Sequence, residues 1–305
     1  MPDLEKIARP TLTAVELDRG QSLRFHLHDG REWTMKLVST SAKIISTNLK
    51  QVKIAERFGR TVYTFSCDVI INGRPYTLDR EVPTQKSFYE PWLIDGVRLW
   101  FDAVDGIFEF LNENHQDCRP KANARFALQD ATLGICPEPL HPWCPLPPDG
   151  IRIEECYVGN ECWLGPYFGA DAHGGMDINH PVGTPLWCPL DIDDQYYFNS
   201  VAAGDNNNRW RGLHRWPTGD TWILQAHHMT SLTVPEHTPL EKGQQFANGA
   251  GVNSGEVHHS HFMFKIEEAG DTILLDAWIL FWQMYRDRAN FSADLPKHQP
   301  LKQVR

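Results

Sequence analysis

The sequence predicts a mainly β protein, with an N-terminal β-sandwich-like domain and a C-terminal domain of antiparallel β structure. Three observations predict it. Runs rich in β-branched and aromatic residues in the first third are split by Asp-Gly and Asn-Gly pairs. A proline-rich stretch interrupts the chain between residues 113 and 150. Beyond it, short strand-like segments return with many glycines and most of the histidines. A chain of 305 residues has room for about two domains. The boundaries read as 1–115 for the first β-domain, 116–150 for a Pro/Cys-rich linker, 151–291 for the second domain and 292–305 for a tail.

In the first domain the runs LRFHLHDGREWTMKLV, TVYTFSCDVIINGRPYTLDREV and VRLWFDAVDGIFEFL have strand composition, and Asp29-Gly30 and Asn72-Gly73 are placed as hairpin turns. His26 and His28 are two apart and are expected on one face of a strand, as a surface pair. Nothing here has the spacing of a catalytic site.

In the linker, Pro120, Pro137, Pro139, Pro142, Pro145, Pro147 and Pro148 are expected to break any regular element. Five of the seven cysteines fall between Cys118 and Cys162. Cys136/Cys144 and Cys156/Cys162 are close enough in sequence to bridge, and buried thiols are the equal alternative. None forms a CxxC pair, which argues against a cysteine zinc ribbon.

The formal net charge of -10 argues against a nucleic-acid partner or an anionic lipid surface. The longest apolar cluster, Ala277 to Phe281, falls far short of the ~20 residues that span a bilayer, so no transmembrane segment is expected. The opening MPDLEKIARP has neither an apolar core nor a small-residue cleavage pattern, so no signal peptide is expected. DAWILFWQMYRDRA, from Asp276, is apolar all round in its first half and suits a helix or a strand packed in a core. The segment after Phe291 is expected to be extended and to contribute little.

The chemistry concentrates in the second domain, where nine of the fourteen histidines lie between His173 and His261. His173 and Asp177 are four apart, and Gly174 and Gly175 between them allow the bend that would turn both toward one metal ion. In His258-His259-Ser260-His261 a strand would project His259 and His261 to one face, with Phe262, Phe264 and Ile266 on the other. That places two imidazoles side by side above an apolar layer. Of the neighbours His227 and His228, alternation lets only one face the same site. Trp187, Trp210, Trp216 and Trp222 read as packing residues, and Cys188 as structural. Asn179, Asn206, Asn207, Asn208 and Asn253 read as turn formers without a site role.

The ordered segments HGGMD, GTPLW, AHHMT, LEKGQ and HSHFMF, spanning Tyr167 to Ile266, resemble the lysostaphin/LytM-type zinc endopeptidases. The signature of that family runs His-x-Gly-x-Asp, a later His-Leu-Ser, a Gly-Gln turn and a closing His-x-His-Phe. The resemblance implies a compact antiparallel β fold with Zn²⁺ held by His173, Asp177 and His261. It implies His259 and His228 as the catalytic histidines that do not bind the metal, His228 being chosen over His227 because Met229-Thr230 stands where the family has Leu-Ser. Met263 follows His-Phe where the family has Glu, and Gln225-Ala226 stands where it has a tyrosine. The implied function is a zinc-dependent endopeptidase that hydrolyses amide bonds in a peptide or cell-wall-type substrate such as peptidoglycan cross-links. A periplasmic or extracellular location goes with it. Two alternatives stay open: a metal-dependent enzyme on the same fold acting on a polysaccharide or other non-peptide substrate, and a non-catalytic binding protein.

Overall fold

The structure, a computed structural model, describes residues 3–48, 61–113, 117–167, 171–198, 208–230, 232–249, 258–288 and 302–303. The chain is mainly β and divides into two compact units, residues 1–138, 165–172 and 294–305 in one and 139–164 and 173–293 in the other.

The first unit opens with β1 (Leu4–Ile7), β2 (Thr13–Leu17), β3 (Ser22–His26) and β4 (Glu32–Thr47). It continues with β5 (Thr61–Ile71), β6 (Arg74–Val82), β7 (Trp92–Ile94), β8 (Val97–Val104) and β9 (Ala124–Asp130), and a short pair β10 (Pro166–Tyr167) and β11 (Asp171–Ala172). The β5–β6 turn is the expected Asn72-Gly73, with φ of +47° and +76°, as a two-residue hairpin requires. β5 alternates strictly between buried and half-buried side chains, so Tyr63, Phe65, Cys67, Val69 and Ile71 form one inner face. Phe65 meets Phe101 of β8 edge-on at 5.2 Å, which joins the two sheets of a sandwich-like core.

Two expectations change here. Residues 116–150, read as a linker without regular structure, contain β9, which lies between β2 and β8. Every residue of β9 is buried, so ARFALQD shows no alternation to read. Its Arg125 forms a buried ion pair with Asp102 at 2.7 Å. His28 lies beyond the end of β3 in a turn, so it does not share a strand face with His26, which pairs with Glu5 at 2.7 Å.

The second unit holds β12 (Met176–Asn179), β13 (Pro185–Trp187), β14 (Asp194–Phe198), β15 (Asn208–Arg215), β16 (Thr221–Met229), β17 (Gln245–Asn248), β18 (His259–Glu268) and β19 (Asp271–Leu275). Its main sheet runs β12-β18-β16-β15-β14, all antiparallel, and β19 continues the edge of β18 where β12 stops. A helix, α1 (Trp278–Arg286), follows; it is apolar nearly all round because it is buried nearly all round. Phe281 of α1 packs on Phe262 of β18 at 5.4 Å, and Trp143 lies 4.9 Å from Phe262. The core therefore lies on the phenylalanine face of β18 and leaves its histidine face for the site.

After α1 the chain returns to the first unit, where β20 (Lys302–Gln303) pairs with β6 and extends the sheet β1-β3-β4-β5-β6. The tail thus adds an edge strand. Trp210 and Trp222 are fully buried, as packing residues should be, and Trp187 and Trp216 are half-buried. Asn206, Asn207 and Asn253 lie outside the described residues. All seven cysteines are buried free thiols. Among the described residues no helix is long and apolar enough to cross a membrane.

Candidate metal centre

Sheet register brings the predicted groups into one row. Asp177 on β12 sits directly opposite His261 on β18, and His261 sits opposite His227 on β16. His259, two residues before His261, shares its face. His173 joins from the segment before β12. Its backbone carbonyl accepts from the N–H of Leu164 at 2.9 Å, and its Nδ1 lies 3.3 Å from the carbonyl of Cys162. A neutral imidazole that donates Nδ1–H there presents the Nε2 lone pair to the centre.

His173 Nε2 is 3.3 Å from Asp177 Oδ1, and Asp177 Oδ1 is 2.8 Å from His261 Nδ1. One donor atom from each residue falls within 4.8 Å of the others, and all three residues are buried. Tetrahedral bonds of 2.0–2.1 Å to nitrogen and oxygen put neighbouring donors about 3.4 Å apart, so the set fits a small divalent ion with modest adjustment. The backbone makes room for it. A Cβ on Gly175 would lie 2.5 Å from the Phe262 carbonyl oxygen and 2.6 Å from His261 Cε1, so the second glycine of HGGMD is demanded by space.

Burial shapes the protonation of the centre. It would raise the Asp177 carboxyl, but His173 and His259 hold that group well below the usual carboxylate range. It pushes His261 down against the pull of Asp177, and pushes His227 well below the usual imidazole range. His228 is lowered to about 3, by burial first and then by His259. Anionic carboxylate and neutral imidazoles are the forms that bind a metal at neutral pH.

The known proteins add little to this geometry. No family model matches the chain, and no curated protein matches it. Among solved structures, the catalytic domain of lysostaphin from Staphylococcus simulans is 18% identical over 35% of this chain and 77% of its own, with a TM-score of 0.29. A putative peptidase M23 from Pseudomonas aeruginosa is 11% identical over 90% of this chain and 93% of its own, with a TM-score of 0.33. A zinc containing peptidase from Vibrio cholerae is 10% identical over 93% of this chain and 86% of its own, with a TM-score of 0.27. At such scores the functional argument rests on the site itself.

The histidines of AHHMT behave differently from the expectation that one of them faces away. His227 lies 4.9 Å, ring centre to ring centre, from His261, while His228 lies 4.7 Å from His259 and 6.4 Å from His261. Both rings reach the site because the strand bulges. Met229 pairs with Asn208 and His227 with Arg209, which leaves His228 as an extra residue, and its φ is +61°. The bulge breaks the alternation that would have separated the pair.

Two neighbours of the centre carried no sequence signal. Glu161 is buried, with Oε2 at 4.0 Å from His173 Nε2, and its backbone carbonyl accepts from the Asp177 N–H at 3.0 Å. Tyr157 stacks on His259 at 4.3 Å with ring planes 25° apart. Both come from residues 151–162, which have no motif spacing and reach the centre only through the fold. Asn179, read as a turn former, bonds by its amide nitrogen to the carbonyl of Cys156 at 3.2 Å and is opposite His259 in register.

Proposed function

We propose that this chain is a zinc-dependent endopeptidase that hydrolyses amide bonds in peptides, with the cross-links of cell-wall peptidoglycan as its substrate class. The observation that carries this reading is the buried donor group His173, Asp177 and His261 with two further imidazoles, His228 and His259, alongside it. His173, Asp177 and His261 would hold the ion. Zinc bound there supplies Lewis acidity to a scissile carbonyl and brings the pKa of water to about 7.

The chain's own groups do the rest. His259 Nε2 lies 3.3 Å from Asp177 Oδ2, and the Tyr157 ring fixes its plane, so its orientation is set before substrate arrives. His228 Nδ1 is buried without a hydrogen-bond partner among the described residues. It is the atom we assign to accept a proton during attack and return it to the leaving amine. Glu161 places a carboxylate oxygen 4.0 Å from His173 Nε2, on the donor-atom side of the ring, where its negative charge would add to the attraction for a cation. The resemblance of HGGMD, AHHMT and HSHFMF to the lysostaphin/LytM signature supports the peptide substrate, and such a substrate would place the protein in the periplasm or outside the cell.

The test is elemental analysis of the full chain and of His261→Ala, followed by digestion of peptides and purified peptidoglycan with and without a chelator. About one zinc per chain, lost in the variant, with chelator-sensitive amide cleavage is expected. Zinc binding with glycosidic cleavage alone would overturn the peptidase assignment. Absence of metal after zinc is added back would overturn the hydrolase.

A further inference from the structure

The row that carries the donor group does not end at His227. Across β15 and β14 the same register pairs His227 with Arg209, and Arg209 with Phe198. One step along the strands, Gln225 pairs with Arg211 and Arg211 with Tyr196. Residues opposite one another or two apart share a face, so Arg209, Arg211, Tyr196 and Phe198 continue the face of His261 and His227.

This shelf carries two guanidinium groups, and among the described residues its one carboxylate, Asp194, two residues before Tyr196 on the same face, is engaged by Tyr196 and His237. Several arginines elsewhere are matched to carboxylates, as Arg74 is to Asp95 and Arg125 to Asp102, while Arg80 and Arg98 bond to neutral oxygens. Arg209 is exposed, and among the described residues its guanidinium has no hydrogen-bond or ion-pair partner. Arg211 lies over the Phe198 ring at 5.6 Å, and Gln225, with its amide oxygen turned toward it, accepts from its Nε and Nη2 at 3.2 Å each. A neutral amide thus holds a full positive charge in place. Phe198 is itself 50% exposed. Two guanidinium groups beside an exposed aromatic ring form a surface suited to a carboxylate on a partly apolar ligand.

We infer that Arg209 and Arg211 form a specificity subsite for a carboxylate carried by the substrate peptide, on the β15 side of the scissile bond. Arg209 is two strands from His261, about 10 Å at the usual strand spacing. An extended peptide covers that in about three residues. The enzyme therefore selects peptides with an acidic side chain or a free α-carboxylate two or three residues from the cut. This inference rests on the peptidase reading, because the direction of the peptide is measured from the donor group.

The test uses the zinc-loaded full chain on a randomised peptide mixture containing Glu and Gln, and Asp and Asn, in equal amounts, with the cut sites read by mass spectrometry. An acidic residue is expected to be favoured over its amide by about ten-fold at one position two or three residues from the cut. Arg209→Gln and Arg211→Gln should each weaken that preference, and the double variant should abolish it with zinc content unchanged. Cleavage without an acid preference, or a preference that survives the double variant, overturns the subsite and leaves the peptidase standing. If the wild type cuts nothing, the peptidase reading fails, and binding of N-acetylated tri-glutamate against tri-glutamine decides the subsite alone. Salt-sensitive binding of the acidic peptide that the double variant loses supports it; equal binding of the two peptides overturns it.

Discussion

Gly175 and His261 touch so closely that a single added carbon on the glycine would lie 2.6 Å from Cε1 of the imidazole. The same carbon would meet the carbonyl oxygen of Phe262 at 2.5 Å, and that backbone is held in the sheet by β12 and β16. Moving the ring relieves only one of the two contacts, so the bend between His173 and Asp177 has to shift as well. Gly175→Ala is expected to cost about 1–3 kcal/mol of stability and to displace a donor atom from the metal position. Thermal unfolding and zinc titration check it. A variant with unchanged zinc affinity would show that the glycine is not what keeps the ring in place.

His228 has a left-handed backbone that glycine tolerates and alanine does not. His228→Gly removes the ring and relieves the strain, so it should be more stable than His228→Ala by about 1 kcal/mol. Both should bind zinc in full and lose about 10²–10⁴-fold in kcat. Loss of zinc in both variants would make His228 a donor in its own right.

Glu161→Gln keeps the backbone carbonyl that binds the Asp177 N–H and removes the negative charge near His173. Zinc affinity should fall about ten-fold or more, measured by competition with a chromophoric chelator, while the unfolding midpoint with chelator present stays close to that of the wild type. An unchanged affinity would leave Glu161 a packing residue.

The buried and half-buried histidines at and beside the centre predict acid lability. His227, His261 and His180 are pushed below the ordinary imidazole value of 6.5, and His228 to about 3. The unfolded chain takes up these protons at higher pH than the folded one. Their contribution is therefore fully present above about pH 6.5 and is lost as pH falls toward about 3. The lowered Asp177 carboxyl acts in the same direction at the acid end. With chelator present, the slope below about pH 6.5 should exceed ~1.4 kcal/mol per pH unit, the value for one proton. Urea unfolding at several pH values measures it, and a flat profile between neutrality and about pH 5 would contradict the burial of these rings.

The donor group was readable in the sequence because its geometry is local or periodic. His259 and His261 share a face by the two-residue repeat of a strand, and Gly174 and Gly175 announce the bend between His173 and Asp177. The hairpin at Asn72-Gly73 was readable for the same reason. Glu161 and Tyr157 were not, since they reach the centre through a backbone bond from Asp177 and a ring stacked on His259, neither of which leaves a spacing. The inward turn of both His227 and His228 depends on a bulge with positive φ at a histidine, a conformation no residue type there announces. β9 escaped because a strand buried on both faces loses the alternation that marks most others.

The seven buried thiols give each unit a chemical clock. Cys67, Cys118 and Cys136 belong to the first unit and Cys144, Cys156, Cys162 and Cys188 to the second. Burial pushes Cys144 up to about 12, and Cys67, Cys156 and Cys188 are also raised, so the reactive thiolate is scarce as well as shielded. An alkylating reagent can then modify a cysteine only as fast as its surroundings open, and peptide mapping of the tagged positions times that opening separately in each half of the chain.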